Sequence, residues 1–178
     1  MTDYFDLIKK RESCRNYKEK EVEKEKLVAC IEAARIAPSA CNGQPWRFIV
    51  VNNKDLSSKV SKCLQEIGMN KFTVKCPAFI IVLQEKTDIK ARIGGKIKDQ
   101  DYAPVDIGIA AAHICLAATQ QGLSTCIMGW FNEKKLKDLL NIPNSKRIRL
   151  VISIGYSADT TLRDKVRKNI DEIAQFID

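Results

Sequence analysis

Between Pro104 and Gln121 the chain offers almost nothing to water. Gly108, Ala110, Ala111, Ala112, Ala117 and Ala118 surround Ile107, Ile109, Ile114 and Leu116, so a helix here is small or apolar on nearly every face. That pattern predicts burial all round. Small residues let a second helix come close, so the segment is either a central core helix or half of a subunit interface, and its pattern suits both roles at once. His113, the only histidine, lies inside it. It has two readings, a general base or a packed, hydrogen-bonded group, and the second is the commoner fate of a histidine among alanines.

The segments around this helix alternate helical and extended patterns. Residues 3 to 10 fit a short helix capped by Asp3, with Phe5, Leu7 and Ile8 as its apolar contacts. From Glu23 to Ala37, the residues Leu27, Cys30, Ile31 and Ala34 recur at helical spacing and predict an amphipathic helix that stops before Pro38. Trp46 to Val51, followed by the turn signal Asn52-Asn53, reads as a buried strand, and Pro77 to Leu83 as a second. Leu56 to Ile67 reads as a helix between them, ended by Gly68. The stretch 84–103 is polar, carries Gly94-Gly95 and lacks a core face, which predicts a surface excursion and a candidate lid. Leu123 to Phe131 then forms a short strand, Asn132 caps a helix through Leu140 that Pro143 ends, and Arg147 to Tyr156 is the last strong strand. A final helix is expected over Ile170 to Ile177. With 178 residues and 45% hydrophobic content, one domain spanning 1–178 is expected.

Polar chemistry gathers in a few places. Pro38, Ser39, Asn42, Gln44 and Pro45 put amides and a hydroxyl on a loop stiffened by two prolines, which is either a wall for a flat, polar-edged ligand or an ordinary capping turn. Arg11, Ser13 and Arg15 alternate, so in an extended segment they point one way and can converge on an anion while Cys14 and Asn16 face elsewhere. A charged surface turn is the other reading. Arg163, Lys165 and Arg167 repeat the alternation in the tail, beside Lys168. Gly129 either admits a ligand close to a backbone N–H or eases a strand-end turn.

Composition closes off several functions. The formal charge of +8 is spread among acids in segments such as Lys18 to Lys26, which leaves nucleic-acid binding a minor alternative and an anion held at one local site the main one. Seven cysteines show no CxxC spacing and leave one over if the rest were paired. They predict reduced thiols, a cytoplasmic setting and no zinc or iron–sulfur site. No leader-like apolar stretch and no uninterrupted apolar run of membrane length is evident, so no membrane association is expected. Phosphate-binding glycine fingerprints do not follow the strands. One histidine cannot easily serve a cysteine or serine nucleophile, and no carboxylate pair has a site context. Chemistry then falls to a bound cofactor, and a flavin carries hydride and electron transfer while asking the protein only for positioning, a phosphate clamp and polar contacts to its ring.

Taken in order, Arg11-Glu12-Ser13-Cys14-Arg15, the loop Pro38 to Trp46, the strand Gly122 to Gly129 and the tail Lys165-Val166-Arg167 resemble motifs of the flavin-dependent nitroreductase family. The alanine-rich helix stands between the second and third, as in that family. The resemblance implies an α+β fold with a central mixed, mainly antiparallel sheet flanked by helices, in an intertwined homodimer that holds FMN at its interface. It implies that Arg11, Ser13, Arg15, Lys165 and Arg167 clamp the phosphate and ribityl groups. Pro38, Ser39, Asn42 and Gln44 would reach the flavin from the second subunit, and Asn70 would contact it as in some members. Met128 and Gly129 would lie along the ring edge, with the Gly129 N–H facing N5.

The implied activity is a ping-pong oxidoreductase that passes hydride from NADH or NADPH through FMN to an electron-poor small molecule, such as a nitroaromatic or a quinone. No side chain need act as acid or base. A flavin-binding protein with little turnover is the alternative with the same cofactor. The chain departs from the family pattern at Glu12, where many members are basic, at Cys41 and Trp130, where small residues are usual, and in the shortness of the 84–103 excursion.

Overall fold

The computed structural model describes residues 3–86 and 99–177. Four strands form one sheet: β1 (Trp46–Val51), β2 (Ala78–Gln84), β3 (Ser124–Met128) and β4 (Arg147–Gly155). Their order is β1-β2-β4-β3, and every neighbouring pair is antiparallel. The expected α+β architecture is therefore present. Strands β2 and β4 take the centre because their apolar runs are nearly continuous. In β2, Ala78, Ile80 and Val82 point to one face while Phe79, Ile81 and Leu83 point to the other, all buried.

A strand that is apolar on both sides needs cover on both sides. One face is covered by α2 (Lys24–Arg35) and α4 (Tyr102–Gln120), the other by α3 (Lys54–Leu64) and α5 (Glu133–Leu140). The short α1 (Tyr4–Lys10) starts at Asp3, whose carboxylate accepts from the Phe5 N–H as expected. Each fully buried Leu, Ile or Phe in the two cores contributes roughly 1.5–3 kcal/mol.

Among the described residues helix α4 buries one face, the core half of its expected double role. Ala103, Asp106, Ile107, Ala110, Ala111, Ile114, Cys115 and Ala118 are buried, a strict alternation of three- and one-residue steps that marks a single face. On the opposite side Pro104, Val105, Gly108 and Ala112 are exposed. Pro104 falls in the first turn, where its missing N–H has no partner to lose. By length and mean hydropathy (1.3) α4 resembles a membrane span, yet here it is packed along α2 as a core helix.

Other boundaries moved for local reasons. Helix α3 begins earlier than expected because Asn53 caps it through Leu56 N, and it ends at Leu64, with Gly68 (φ 76°) closing a separate turn. Asn141, at φ 53°, ends α5 before Pro143 is reached. The C-terminal helix shrinks to one turn, Ile170–Glu172, since that segment has no core to lean on and its side chains are exposed. Of the expected excursion at 84–103, residues 87–98 lie outside the described residues. Its ends belong to regular elements, Gln84 to β2 and Tyr102 to α4.

Strand β3 is an edge strand, and the N-terminal segment covers it. Ser13 makes a parallel bridge to Thr125, and Cys14 N donates to Thr125 O at 2.9 Å. Farther on, Tyr17 bridges Ser157, and its hydroxyl lies 2.9 Å from Ser153 Oγ. Burial pushes the Tyr17 phenol well above its ordinary range, so it stays neutral. The fit around it is tight. A Cβ on Gly155 would stand 2.7 Å from Pro77 Cδ and 3.1 Å from Tyr17 Cδ1. Gly155→Ala should therefore destabilise the fold by roughly 1–3 kcal/mol through overpacking, read as a lower chemical-denaturation midpoint. An unchanged midpoint would remove this constraint.

Candidate functional site

Extended backbone after α1 sets the first half of the site. Cys14 is 1% exposed and turns into the core, which leaves Arg11, Ser13 and Arg15 on the opposite side, as their alternation predicts. The tail returns antiparallel to this segment and supplies the second half. Lys18 N donates to Tyr156 O and Ala158 N to Asn16 O, both at 2.9 Å, and Asn16 Nδ2 donates to Asp159 Oδ1 at 2.7 Å. Farther along, Arg163 meets Glu12 and Ser13, and Lys165 Nζ donates to Lys9 O. The consequence is one cavity of about 350 Å³ lined by Arg11, Ser13, Arg15, Arg163, Lys165 and Arg167, with Glu12 and Asp164 beside them.

A second cavity of about 340 Å³ adjoins the first, sharing Arg11 and Ser13. Its other walls are Ile8 from α1, Ala112, Cys115 and Leu116 from α4, and Thr125 and Ile127 from β3. Alternation along β3 explains the last two: Thr125 and Ile127 turn to the cleft while Cys126 and Met128 turn into the other core. A cation-lined compartment thus opens beside an apolar one. That pairing suits a ligand with an anionic end and a flat or apolar body.

The thiols near this site are not nucleophiles. Burial pushes the Cys115 and Cys126 thiols up, against smaller opposing pulls that include Arg11 on the first and Arg15 on the second, so both stay protonated. His113, partly buried, is paired through Nδ1 with Ile109 O at 2.9 Å, one turn back on its own helix.

The remaining residues singled out from sequence lie elsewhere on the chain. Pro38, Ser39, Asn42 and Gln44 line neither cavity. Their loop sits by the start of α4, where Ala40 N donates to both Asp106 carboxylate oxygens at 3.1 and 3.2 Å. Asp106 is opposite the loop, whereas the cleft meets Ala112 and Leu116, about 9–15 Å farther along the helix axis. The loop is also strained. Cys41, Asn42 and Gln44 take φ of 52°, 52° and 43°, while the glycine among them, Gly43, takes −72°. Ser39 Oγ accepts from Gln44 N, and Gln44 Nε2 donates to Asn42 Oδ1 at 3.2 Å, which knits the strained turn together.

At the exit of β3 two expectations change. Met128 is 4% exposed and its side chain belongs to the opposite core, so only its backbone can border a ligand. Asn70 does stand beside Gly129-Trp130, but its amide N–H groups are engaged by Trp130 O at 2.8 Å and Leu64 O at 3.2 Å. It holds the strand exit rather than offering those hydrogens to a ligand. Gly129 is exposed, and a Cβ built on it meets no atom within 4 Å. Packing within the chain therefore does not require glycine there.

Sequence reasoning missed Asp106. The signal was present, since it is the one charged residue in Tyr102–Gln120 and an acid amid alanines must have a partner when buried. It also missed the apolar walls Ile8, Ala112, Leu116 and Ile127, because which face of an all-apolar helix meets the cleft depends on tertiary packing.

Comparison with known proteins adds three kinds of relative. The family model described as the nitroreductase family matches residues 8–156. A Streptococcus pyogenes protein provisionally named an NAD(P)H nitroreductase is 28% identical, over 97% of this chain and 98% of its own. Mouse (Mus musculus) iodotyrosine deiodinase 1 is 26% identical, over 96% of this chain and 68% of its own length. Among solved structures, the FMN-dependent nitroreductase of Clostridium difficile R20291 superposes with a TM-score of 0.74 at 29% identity, covering 96% of each chain.

Asp106→Ala removes the acceptor that holds the strained loop. It should lower stability by roughly 1.5–3 kcal/mol, the range for a hydrogen bond to a charged group, and speed amide exchange at 40–44. Unchanged exchange there would show that the loop holds its shape without Asp106.

Proposed function

The chain belongs to the nitroreductase family, and on that premise we propose that it is an FMN-dependent oxidoreductase using NADH or NADPH as donor. The observation that carries this reading is the pair of adjoining cavities, one cationic and one apolar, that share Arg11 and Ser13. The donor set fits FMN. Guanidinium and ammonium groups from Arg11, Arg15, Lys165 and Arg167 match a phosphate dianion, and Ser13 adds a hydroxyl. An apolar floor of Ile127, Leu116 and Ala112 suits an aromatic ring, and Gly129 leaves open space at the strand exit.

When bound, FMN supplies the redox chemistry, taking hydride from the nicotinamide donor and reducing an electron-poor acceptor in a ping-pong cycle. The chain's own residues bind and orient. Arg11 and Arg167 neutralise the anionic end, the β3 wall sets the depth of the body, and Asn70 fixes the Trp130 carbonyl and with it the backbone around Gly129. A ring seated against Ile8, Leu116 and Ile127 would displace water from those apolar walls. Within this reading no side chain serves as general acid or base.

A homodimer is part of the proposal. The loop with Pro38, Ser39, Asn42 and Gln44 lies away from its own chain's cleft, so a contribution to a site would come from a second copy. The exposed side of α4 and the tail support that arrangement. Val166, Phe176 and Ile177 are 91%, 81% and 87% exposed. Burying each such side chain would gain roughly 1.5–3 kcal/mol that the single chain leaves unrealised. We further propose a cytoplasmic setting, in keeping with seven free cysteines of which all but Cys41 are buried.

The acceptor class is a nitroaromatic, a quinone or a related electron-poor compound. Relatives named iodotyrosine deiodinase make a halogenated aromatic a specific second candidate. The full-length protein should carry FMN absorbance and oxidise NADH or NADPH with at least one of these acceptors. Protein with neither bound flavin nor FMN-dependent NAD(P)H oxidation overturns the reading, and bound flavin without turnover on any acceptor reduces it to flavin binding alone. Arg11→Ala and Arg167→Ala should each weaken FMN retention by roughly 1.5–3 kcal/mol, the worth of a charge-assisted hydrogen bond. Unchanged FMN affinity in both variants would refute the clamp.

A further inference from the structure

Glu12 places a carboxylate in the cavity that Arg11, Arg15, Arg163, Lys165 and Arg167 line, where the other acid is Asp164 on the tail itself. Its side chain is 10% exposed, so it is not a stray surface charge. Beside an anion it is a liability, since like charges repel, and more strongly near a protein surface than in water. Its contacts give it a different role. Glu12 Oε2 accepts from Arg163 Nε at 3.3 Å and from the Arg163 backbone N–H at 3.4 Å, and Arg163 Nη2 donates to Ser13 O.

Those bonds fall where the tail has little else. Up to Asp159 it is tied to Asn16, Tyr17 and Lys18 by backbone and side-chain bonds. Residues 160–162 are exposed and make no hydrogen bond among the described residues. Beyond them the tail cations would be pushed away from Arg11 and Arg15 by their own charge. Arg163 is the first residue to regain contact, and the acid it finds is the one adjacent to both Arg11 and Ser13 in sequence. Lys165 follows two residues later on the same side, reaching Lys9 O.

We propose that Glu12 is a positioning residue: with Arg163 it latches the tail so that Lys165 and Arg167 face Arg11 and Arg15, assembling the anion cavity ahead of its ligand. The inference rests on the FMN reading for the identity of that ligand, but the latch itself is a property of the chain. It explains why an acid occupies a position inside a cationic cluster. The carboxylate offsets repulsion among the cations and gives the tail one specific register.

Two views of Glu12 predict opposite signs. If it were only an adverse charge, Glu12→Gln would bind FMN more tightly. As a latch, the same variant should bind FMN roughly fivefold more weakly, the upper range for an ion pair with one exposed partner. Flavin-free, full-length protein should also lose tail protection, with trypsin cutting faster at Arg163, Lys165 and Arg167 while cleavage elsewhere is unchanged. Arg163→Ala, on the exposed tail, removes its own cleavage site but should reproduce the weaker FMN binding and the faster cleavage at Lys165 and Arg167, and the double variant should be no worse than either single one. Equal or tighter FMN binding by Glu12→Gln, or an unchanged rate of tail cleavage, overturns the proposal. If the wild-type chain binds no FMN, the flavin reading fails alone, and the cleavage comparison, run without flavin, still decides the latch.

Discussion

The structure depends on two strands that are apolar on both faces. Because β2 and β4 bury side chains above and below the sheet, helices must cover both sides, and the chain supplies α2 with α4 on one and α3 with α5 on the other. That requirement fixes the position of β3. As the outer partner of β4 it has one free edge, and the N-terminal segment runs beside it through the Ser13 to Thr125 bridge. Unpaired edges invite association, so covering this one has a structural benefit of its own. It also places Arg11, Ser13 and Arg15 next to the cleft that α4 and β3 enclose.

Electrostatics then decides what the cleft can hold. Six cationic or hydroxyl-bearing side chains from opposite ends of the sequence line one compartment, brought there by backbone pairing between residues 16–18 and 156–158. The hydrogen bonds do the alignment, since a cluster of like charges would not assemble unaided. Nearby thiols add no reactivity, because burial keeps Cys115 and Cys126 neutral. The cleft therefore offers an anionic ligand complementary charge beside an apolar surface.

Much of this was legible in the chain. Asp3, Asn132 and the runs in β1, β2 and β4 announced their elements because caps and period-two burial are local. The alternation of Arg11, Ser13 and Arg15 also survived, since an extended backbone leaves little choice of direction. What failed was non-local. Composition suited α4 to core and interface alike but could not say which side would be left exposed among the described residues. The side chain of Met128 follows the parity of β3, which is set by register against β4. Nor does sequence spacing announce that Asn70, in a turn at φ 53°, donates its amide to Trp130 O, a partner sixty residues away. The C-terminal helix required a core that this chain does not provide at that point.

Three features are each unfavourable for a single copy. The loop at 41–44 holds three non-glycine residues at positive φ, each of which costs on the order of 1–3 kcal/mol unless its surroundings impose it. Helix α4 exposes Val105 and Ala112 on the side away from α2, and the tail exposes Ile170, Ile173, Phe176 and Ile177. Strain alone is no evidence of a partner, and exposed apolar residues one at a time are ordinary. Their coincidence is harder to treat that way. Asp106, on the buried face of α4, bonds the strained loop and so ties it to the first turns of that helix. In the proposed dimer that tie would have a use: the energy gained by burying α4 and the tail would sustain the strained turn, and the turn would present Asn42 and Gln44 to the neighbouring cleft. Association and ligand binding would then be linked through Asp106, each favouring the other by the same free energy.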